Sequence, residues 1–193
     1  LVSQGVDVHG ISRWHSTTSN SNLKNVINDI TLHECDLNDL SATIRAVEAS
    51  KPDYIFHFAT NGVYPFQKNI EKIIETNIIG TTNILQAIEE YGIKRLINVG
   101  SGFEYGPIKG GIKEIDCINP ISPYAISKAT QTLFVKYFSD VKHVPSITLR
   151  VFTPYGRLES KDRLISDIMI SMIKKHPLYL SSKNSYRDFV FID

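Results

Sequence analysis

The sequence predicts a doubly wound α/β fold, and three observations carry that prediction. Strand-like apolar runs alternate with helical segments along most of the chain, the order that builds a parallel sheet with helices on its faces. Residues 53–58, Asp-Tyr-Ile-Phe-His-Phe, form a largely apolar run of the kind a strand buried on both faces shows. The length of 193 residues, 42% apolar and 21% charged, suits one ordinary globular domain or slightly more and can bury a sizeable core.

In chain order, residues 6–11 read as the first strand. The polar stretch 16–22 reads as a loop, 30–33 as a weak second strand, and 40–49 as a helix that must end before Lys51-Pro52. Residues 53–58 follow as a strand. Ile70, Ile73, Ile74, Ile78, Leu85 and Ile88 recur at helical spacing over 69–91, with Gly92 where a C-terminal cap belongs. Residues 96–99 give the next strand and 100–121 a loop rich in Gly and Pro. Ser122-Pro123 supplies an N-cap and a first-turn proline for a helix reaching about residue 138. Beyond it lie a strand at 146–152, an amphipathic helix at 163–175 and short strands at 178–180 and 189–192. In such a fold ligands sit at the carboxyl ends of the strands, here Ser12-Arg13, Asp36-Leu37, Ala59-Thr60, Ser101 and Phe152-Thr153.

Charge and composition exclude several function classes. Twenty-one basic against 20 acidic residues leave a formal charge of +1, so no electrostatic excess recruits nucleic acid or an anionic membrane surface. No apolar run has membrane-spanning length, and a cytoplasmic location is the expectation. Cys35 and Cys117 form no paired motif and read as reduced thiols, while six scattered histidines argue against a metal site. His57 reads as a packed histidine. Val99 stands where a nucleophile elbow at Ser101 would need glycine, which argues against acyl transfer.

The sharpest feature is Tyr124-Ala-Ile-Ser-Lys128, because positions i and i+4 share a helix face about 6 Å apart along the axis. A cation roughly 4 Å from a phenol favours its anion by up to about 4 kcal/mol at an effective dielectric of 20, which turns a poor base into a usable one. Alone, the pair also suits an ordinary amphipathic surface. Ser101 at a strand exit adds a hydroxyl that shares one substrate oxygen with the tyrosine, the arrangement for moving a proton at a carbinol while hydride leaves its carbon.

With these motifs the chain resembles the extended short-chain dehydrogenase/reductase family, the nucleotide-sugar epimerases, dehydratases and reductases. The resemblance runs through Val8-His9-Gly10-Ile11-Ser12-Arg13, Asp36-Leu37, His57-Phe58-Ala59-Thr60, Asn77 with Gly80-Thr81, residues 101–106, 124–128 and 150–156, and Arg187-Asp188-Phe189. It implies a Rossmann-type dinucleotide-binding domain over residues 1–157, incomplete at its N-terminus, and the start of a substrate lobe over 158–193. It implies Tyr124 as general acid/base, Ser101 as its partner on the substrate, and Lys128 on the nicotinamide ribose. Asp36 and Leu37 would contact adenine, Phe58, Ala59 and Thr60 would line the dinucleotide, and Asn77 would pin the long helix. The helices at 69–91 and 122–138 would form a homodimer interface in the full-length protein.

Where NAD-binding relatives end their second strand in an acid, this chain has Ser12-Arg13, which favours NADP over NAD because guanidinium suits a 2′-phosphate. The Gly-x-x-Gly-x-x-Gly phosphate loop does not occur, so the chain is expected to be a fragment lacking the first strand, that loop and most of the C-terminal lobe, with a gap between neighbouring strands. The Thr-Asp-Glu of dehydratases is replaced by Ser101, Gly102 and Phe103, and Glu104 is one place off. Thr153 stands where the family has a substrate-binding asparagine, Arg187 is the candidate for the nucleotide diphosphate, and Arg163 is a second. The expectation is therefore an NAD(P)-dependent nucleotide-sugar 4-epimerase or 4-ketosugar reductase. The alternatives are a 4,6-dehydratase, a non-catalytic NAD(P)-binding sensor, or an inactive fragment of such an enzyme.

Overall fold

The computed structural model describes residues 1–13, 22–64, 66–108, 110–179 and 187–192. The predicted loop at 16–22 falls almost wholly outside them, as does residue 180. The chain forms two compact units, Leu1–Arg150 and Val151–Asp193.

In the first unit β1 (His9–Ser12) pairs in parallel with β2 (Thr31–Glu34), and Ser12 lies opposite Glu34. A separate three-stranded sheet has the order β3 (Tyr54–His57), β4 (Arg95–Ser101), β5 (Ser146–Val151), with β3 and β4 parallel. Among the described residues no ladder joins the two sheets.

The helices end where their side chains cap them. Asp39 accepts from the Ala42 amide at 3.0 Å to open α1 (Leu40–Ser50), which Lys51 closes in the left-handed region at φ +43°. Asn69 accepts from the Lys72 amide at 3.0 Å and opens α2 (Ile70–Ile74), which continues through a π turn (Glu75–Ile79) into α3 (Gly80–Tyr91). Gly92, at φ +72°, returns its amide to Ile88. Ser122 accepts from the Ala125 amide at 3.1 Å and Pro123 begins α4 (Pro123–Asp140).

Ile84, Leu85 and Ile88 of α3, Leu96 of β4, Val135 and Phe138 of α4, and Val144 make the core, with Leu37, Ile55 and Ile93 packed on it. Only one side of the three-stranded sheet is covered within this unit's described residues. Tyr54 and Phe56 of β3 are 56% and 48% exposed, and Ile147 and Leu149 of β5 are likewise open. The run at 53–58 is thus half covered rather than buried on both faces. Its apolar continuity reports side-chain type, and a strand's alternation sends every second residue to the face that lacks a partner here.

In the second unit β6 (Thr153–Tyr155) pairs in parallel with β7 (Phe189–Phe191), and α5 (Leu164–Lys174) buries none of its residues. Leu178 and Tyr179, read from sequence as strand, lie outside any strand. No described helix is long and apolar enough to cross a membrane.

Candidate active site

β4 carries Ser101 to its carboxyl end, where the chain turns into a 3-10 segment, Gly102–Tyr105. The turn is set by a capping box. The Ser101 hydroxyl accepts from the Phe103 amide at 3.2 Å, and Glu104 Oε1 accepts from the Ser101 amide at 2.7 Å. Glu104 is fully buried, and its second oxygen takes the Arg150 Nε donor at 2.8 Å. Arg150 also donates to the Tyr105 hydroxyl at 2.9 Å with its guanidinium carbon 4.9 Å from that ring's centroid. Two glycines make the turn possible. A Cβ on Gly100 would stand 2.6 Å from Glu104 Oε1, and one on Gly106, at φ +70°, would stand 2.0 Å from the Asn119 carbonyl oxygen.

Tyr124 lies in the first turn of α4, half-buried, with Phe103 edge-on to its ring at a centroid distance of 6.3 Å. One helical turn on, Lys128 is buried. The π turn aims Asn77, fully buried, at the loop after β3. Asn77 Oδ1 accepts from the Asn61 amide at 2.7 Å, while Nδ2 donates to the Asn61 carbonyl at 2.9 Å and to Ser127 Oγ at 2.8 Å. Ser127 in turn donates to the Tyr124 carbonyl at 2.8 Å. Asn77 thus ties that loop to the helix turn that carries Tyr124.

Below it, the Thr81 hydroxyl donates to the Asn77 carbonyl at 2.7 Å and lies 2.8 Å from His57 Nε2. The hydroxyl proton being spent, His57 donates, which assigns the proton of a neutral ring to Nε2. Burial, and then the Lys128 charge, push the His57 pKa down to about 3. Burial pushes Lys128 down to about 8, with Glu104 pulling it back up, so the ammonium is the majority form at neutral pH.

The structure therefore brings Ser101, Tyr124, Lys128 and Asn77 into one region of the first unit. Ser12 is half-buried and Arg13 exposed at the end of β1, next to the end of β2, where the Cys35 amide donates to the Ser12 carbonyl at 3.1 Å. Asp36 is exposed and accepts from the Asn38 amide at 3.0 Å. Leu37 packs against Gly80 and accepts from Asn83 Nδ2 at 2.7 Å through its carbonyl, so it already serves the core. Phe58 and Thr60 are exposed after β3, with Ala59 half-buried between them. Thr153, Arg163 and Arg187 belong to the second unit. There the Thr153 amide donates to the Asp188 carbonyl at 3.1 Å, Arg163 pairs with Glu159 at 3.4 Å, and Arg187 is exposed. Among the described residues no group of three or more His, Cys, Asp or Glu is placed to hold a metal.

A dinucleotide fits this residue set in part. Arg13, Phe58 and Thr60 present exposed side chains at strand ends, and the cation of Lys128 suits a ribose hydroxyl. The sequence holds no glycine-rich turn to cradle a pyrophosphate. The sequence reading noted Glu104 only as one place off a dehydratase acid, and missed its pairing with Arg150, the part Ser127 plays and the His57–Thr81 contact. Ser101-Gly-Phe-Glu104 carries the Ser-x-x-Glu signature of a capping box, which was the available signal for Glu104.

The chain has a Rossmann-like arrangement in which Ser101, Tyr124 and Lys128 fall in one region of the first unit. It matches the NAD dependent epimerase/dehydratase family over residues 1–193 and is a member of that family. A dTDP-glucose 4,6-dehydratase of Xanthomonas campestris is 25% identical over 81% of this chain and 48% of its own length. A UDP-glucuronate 4-epimerase of Thermodesulfobacterium geofontis is 24% identical over 83% of this chain and 51% of its own. The crystal structure of a Thermotoga maritima UDP-glucose 4-epimerase with UDP-glucose superposes with a TM-score of 0.88 at 23% identity, covering 99% of this chain and 63% of that one. A Bacillus cereus UDP-glucuronic acid 4-epimerase in complex with UDP-glucuronic acid and NAD gives 0.85 at 21% identity, over 97% and 62%. These likenesses show the Rossmann-like fold, and the chain spans less than two thirds of each of these proteins.

Proposed function

We propose that the protein this chain belongs to is an NAD(P)-dependent enzyme that moves hydride at carbon 4 of a nucleotide-activated sugar, as a 4-epimerase or a 4-ketosugar reductase. The observation that carries this reading is Lys128, buried yet cationic, one turn from Tyr124 and in the same region as the strand-end hydroxyl of Ser101. A bound nicotinamide supplies the acceptance and return of hydride. Tyr124 takes the proton from the carbinol oxygen in the oxidising direction and returns it in the reducing one. Ser101 holds that oxygen by hydrogen bonding, and Lys128 lowers the cost of the phenolate and addresses the nicotinamide ribose.

Arg13, Asp36, Phe58, Ala59 and Thr60 hold the adenosine side in this reading, and exposed Arg13 favours a 2′-phosphate, hence NADP. Asn77 acts behind them by fixing the Tyr124 helix. Thr153, Arg163 and Arg187 serve the nucleotide sugar, the full-length protein works as a homodimer, and its place is the cytoplasm. Dehydration is disfavoured because elimination needs a free acid and base after Ser101. Gly102 and Phe103 supply neither, and both Glu104 oxygens are engaged below the site. The test is Tyr124→Phe in the full gene product. Turnover should fall roughly a hundred- to ten-thousandfold with dinucleotide binding retained, whereas undiminished turnover would refute the assignment.

A further inference from the structure

We propose that Glu104 is a positioning residue of this site. One of its oxygens fixes the strand-end backbone of Ser101, Arg150 pairs with the other and holds the carboxylate in place, and the buried charge of Glu104 acts on Lys128 at a distance rather than by direct pairing. The inference rests on the reading of Ser101, Tyr124 and Lys128 given above.

The geometry requires more of Glu104 than packing. A fully buried carboxylate is costly unless both oxygens are met, and here they are met from two different elements. The Ser101 amide at 2.7 Å links one oxygen to the residue whose hydroxyl is proposed to hold the substrate, and Arg150 Nε at 2.8 Å links the other to β5. Gly100 leaves the space that the carboxylate fills. Rotation of the Ser101 backbone would break a charge-assisted bond, so the Cα that carries the hydroxyl is held from below, while the Phe103 amide at 3.2 Å engages the hydroxyl oxygen itself.

Among the described residues, the charged and titratable groups around Glu104 include Arg150 on β5, Tyr105 in its own turn and Lys128 on α4, with neutral His57 of β3 beyond Lys128. Within this set Glu104 is the group that raises the Lys128 pKa against desolvation. Remove the negative charge and Lys128 loses its proton at lower pH, taking the support of the phenolate with it.

The experiment compares wild type, Glu104→Gln and Tyr124→Phe in the full gene product, reading kcat, KM and dinucleotide affinity across pH. Glu104→Gln should lower kcat about ten- to a hundredfold, leave dinucleotide affinity near wild type, and move the alkaline limb of the kcat profile to lower pH. A merely structural role would reduce the yield of folded enzyme without moving that limb. If Tyr124→Phe is inactive while Glu104→Gln keeps the wild-type kcat and pH limb, Glu104 has no such role. If Tyr124→Phe is fully active, the reading of the site itself falls, and this inference with it. Should Glu104→Gln not fold, Glu104→Leu with Arg150→Leu removes the whole buried pair while keeping apolar volume. The same downward shift of the limb is then expected, and an unmoved limb overturns the proposal.

Discussion

Single residues in this chain are placed by burial and charge in ways that set their chemistry, and His57 makes the point outside the reacting group. Its pKa is near 3 when folded and about 6.5 when unfolded. The unfolded chain therefore binds the extra proton across that interval. Stability contributed by the neutral ring is complete well above pH 6.5 and is lost as pH falls toward 3, at about 2 kcal/mol between pH 7 and 5. Urea midpoints at pH 7 and pH 5 should separate for wild type and move much less for His57→Gln; equal separations would contradict the assignment. Arg13 is the second residue-scale case. If its guanidinium reads a 2′-phosphate, the full gene product prefers NADPH, and Arg13→Glu reverses the preference. Equal use of NADH and NADPH by wild type would remove that role.

The residues themselves were unevenly legible. Tyr124 and Lys128 announced themselves by spacing, and Ser101 by standing at a strand exit. Glu104 was noted only as one place off a dehydratase acid, because its burial depends on Arg150 of a strand 46 residues further on.

Among elements, the long helix at 70–91 shows where sequence periodicity stops informing. The isoleucine spacing and Gly92 marked its extent well. The π turn at Glu75–Ile79 was invisible, since one extra residue per turn leaves the isoleucine spacing readable as plain helix, and Asn77 lies buried within it. That turn matters because the Asn77 side chain makes three hydrogen bonds, two to Asn61 and one to Ser127. Asn77→Ala would leave buried partners unmet and should cost about 1–3 kcal/mol or more in chemical denaturation. Turnover should fall along with stability, because Ser127 carries the link on to the Tyr124 backbone. A variant as stable and active as wild type would show that the helix needs no such tie. Strand β3 gives the converse lesson. Its position and direction were read correctly, but its environment was not, since apolar composition cannot distinguish one covered face from two.

At the scale of the whole molecule, the fold class was legible because the alternation of strand and helix leaves few topologies. The expected gap has its counterpart in two sheets that share no ladder among the described residues. The proposed chemistry at this scale is hydride and proton transfer without loss of water. It is supported by Tyr124 and Lys128 in the region of the Ser101 hydroxyl and by Glu104, the one carboxylate in the turn after Ser101, being engaged through both oxygens. The measurement that tests it most directly offers the full gene product NADPH, NADH and NAD with a panel of nucleotide sugars and 4-keto nucleotide sugars, following product mass and nicotinamide absorbance together. The account predicts either a gain of two hydrogens with matching consumption of reduced cofactor, or a new sugar of unchanged mass with no net consumption. A product lighter by one water, or no product despite dinucleotide binding, would contradict it.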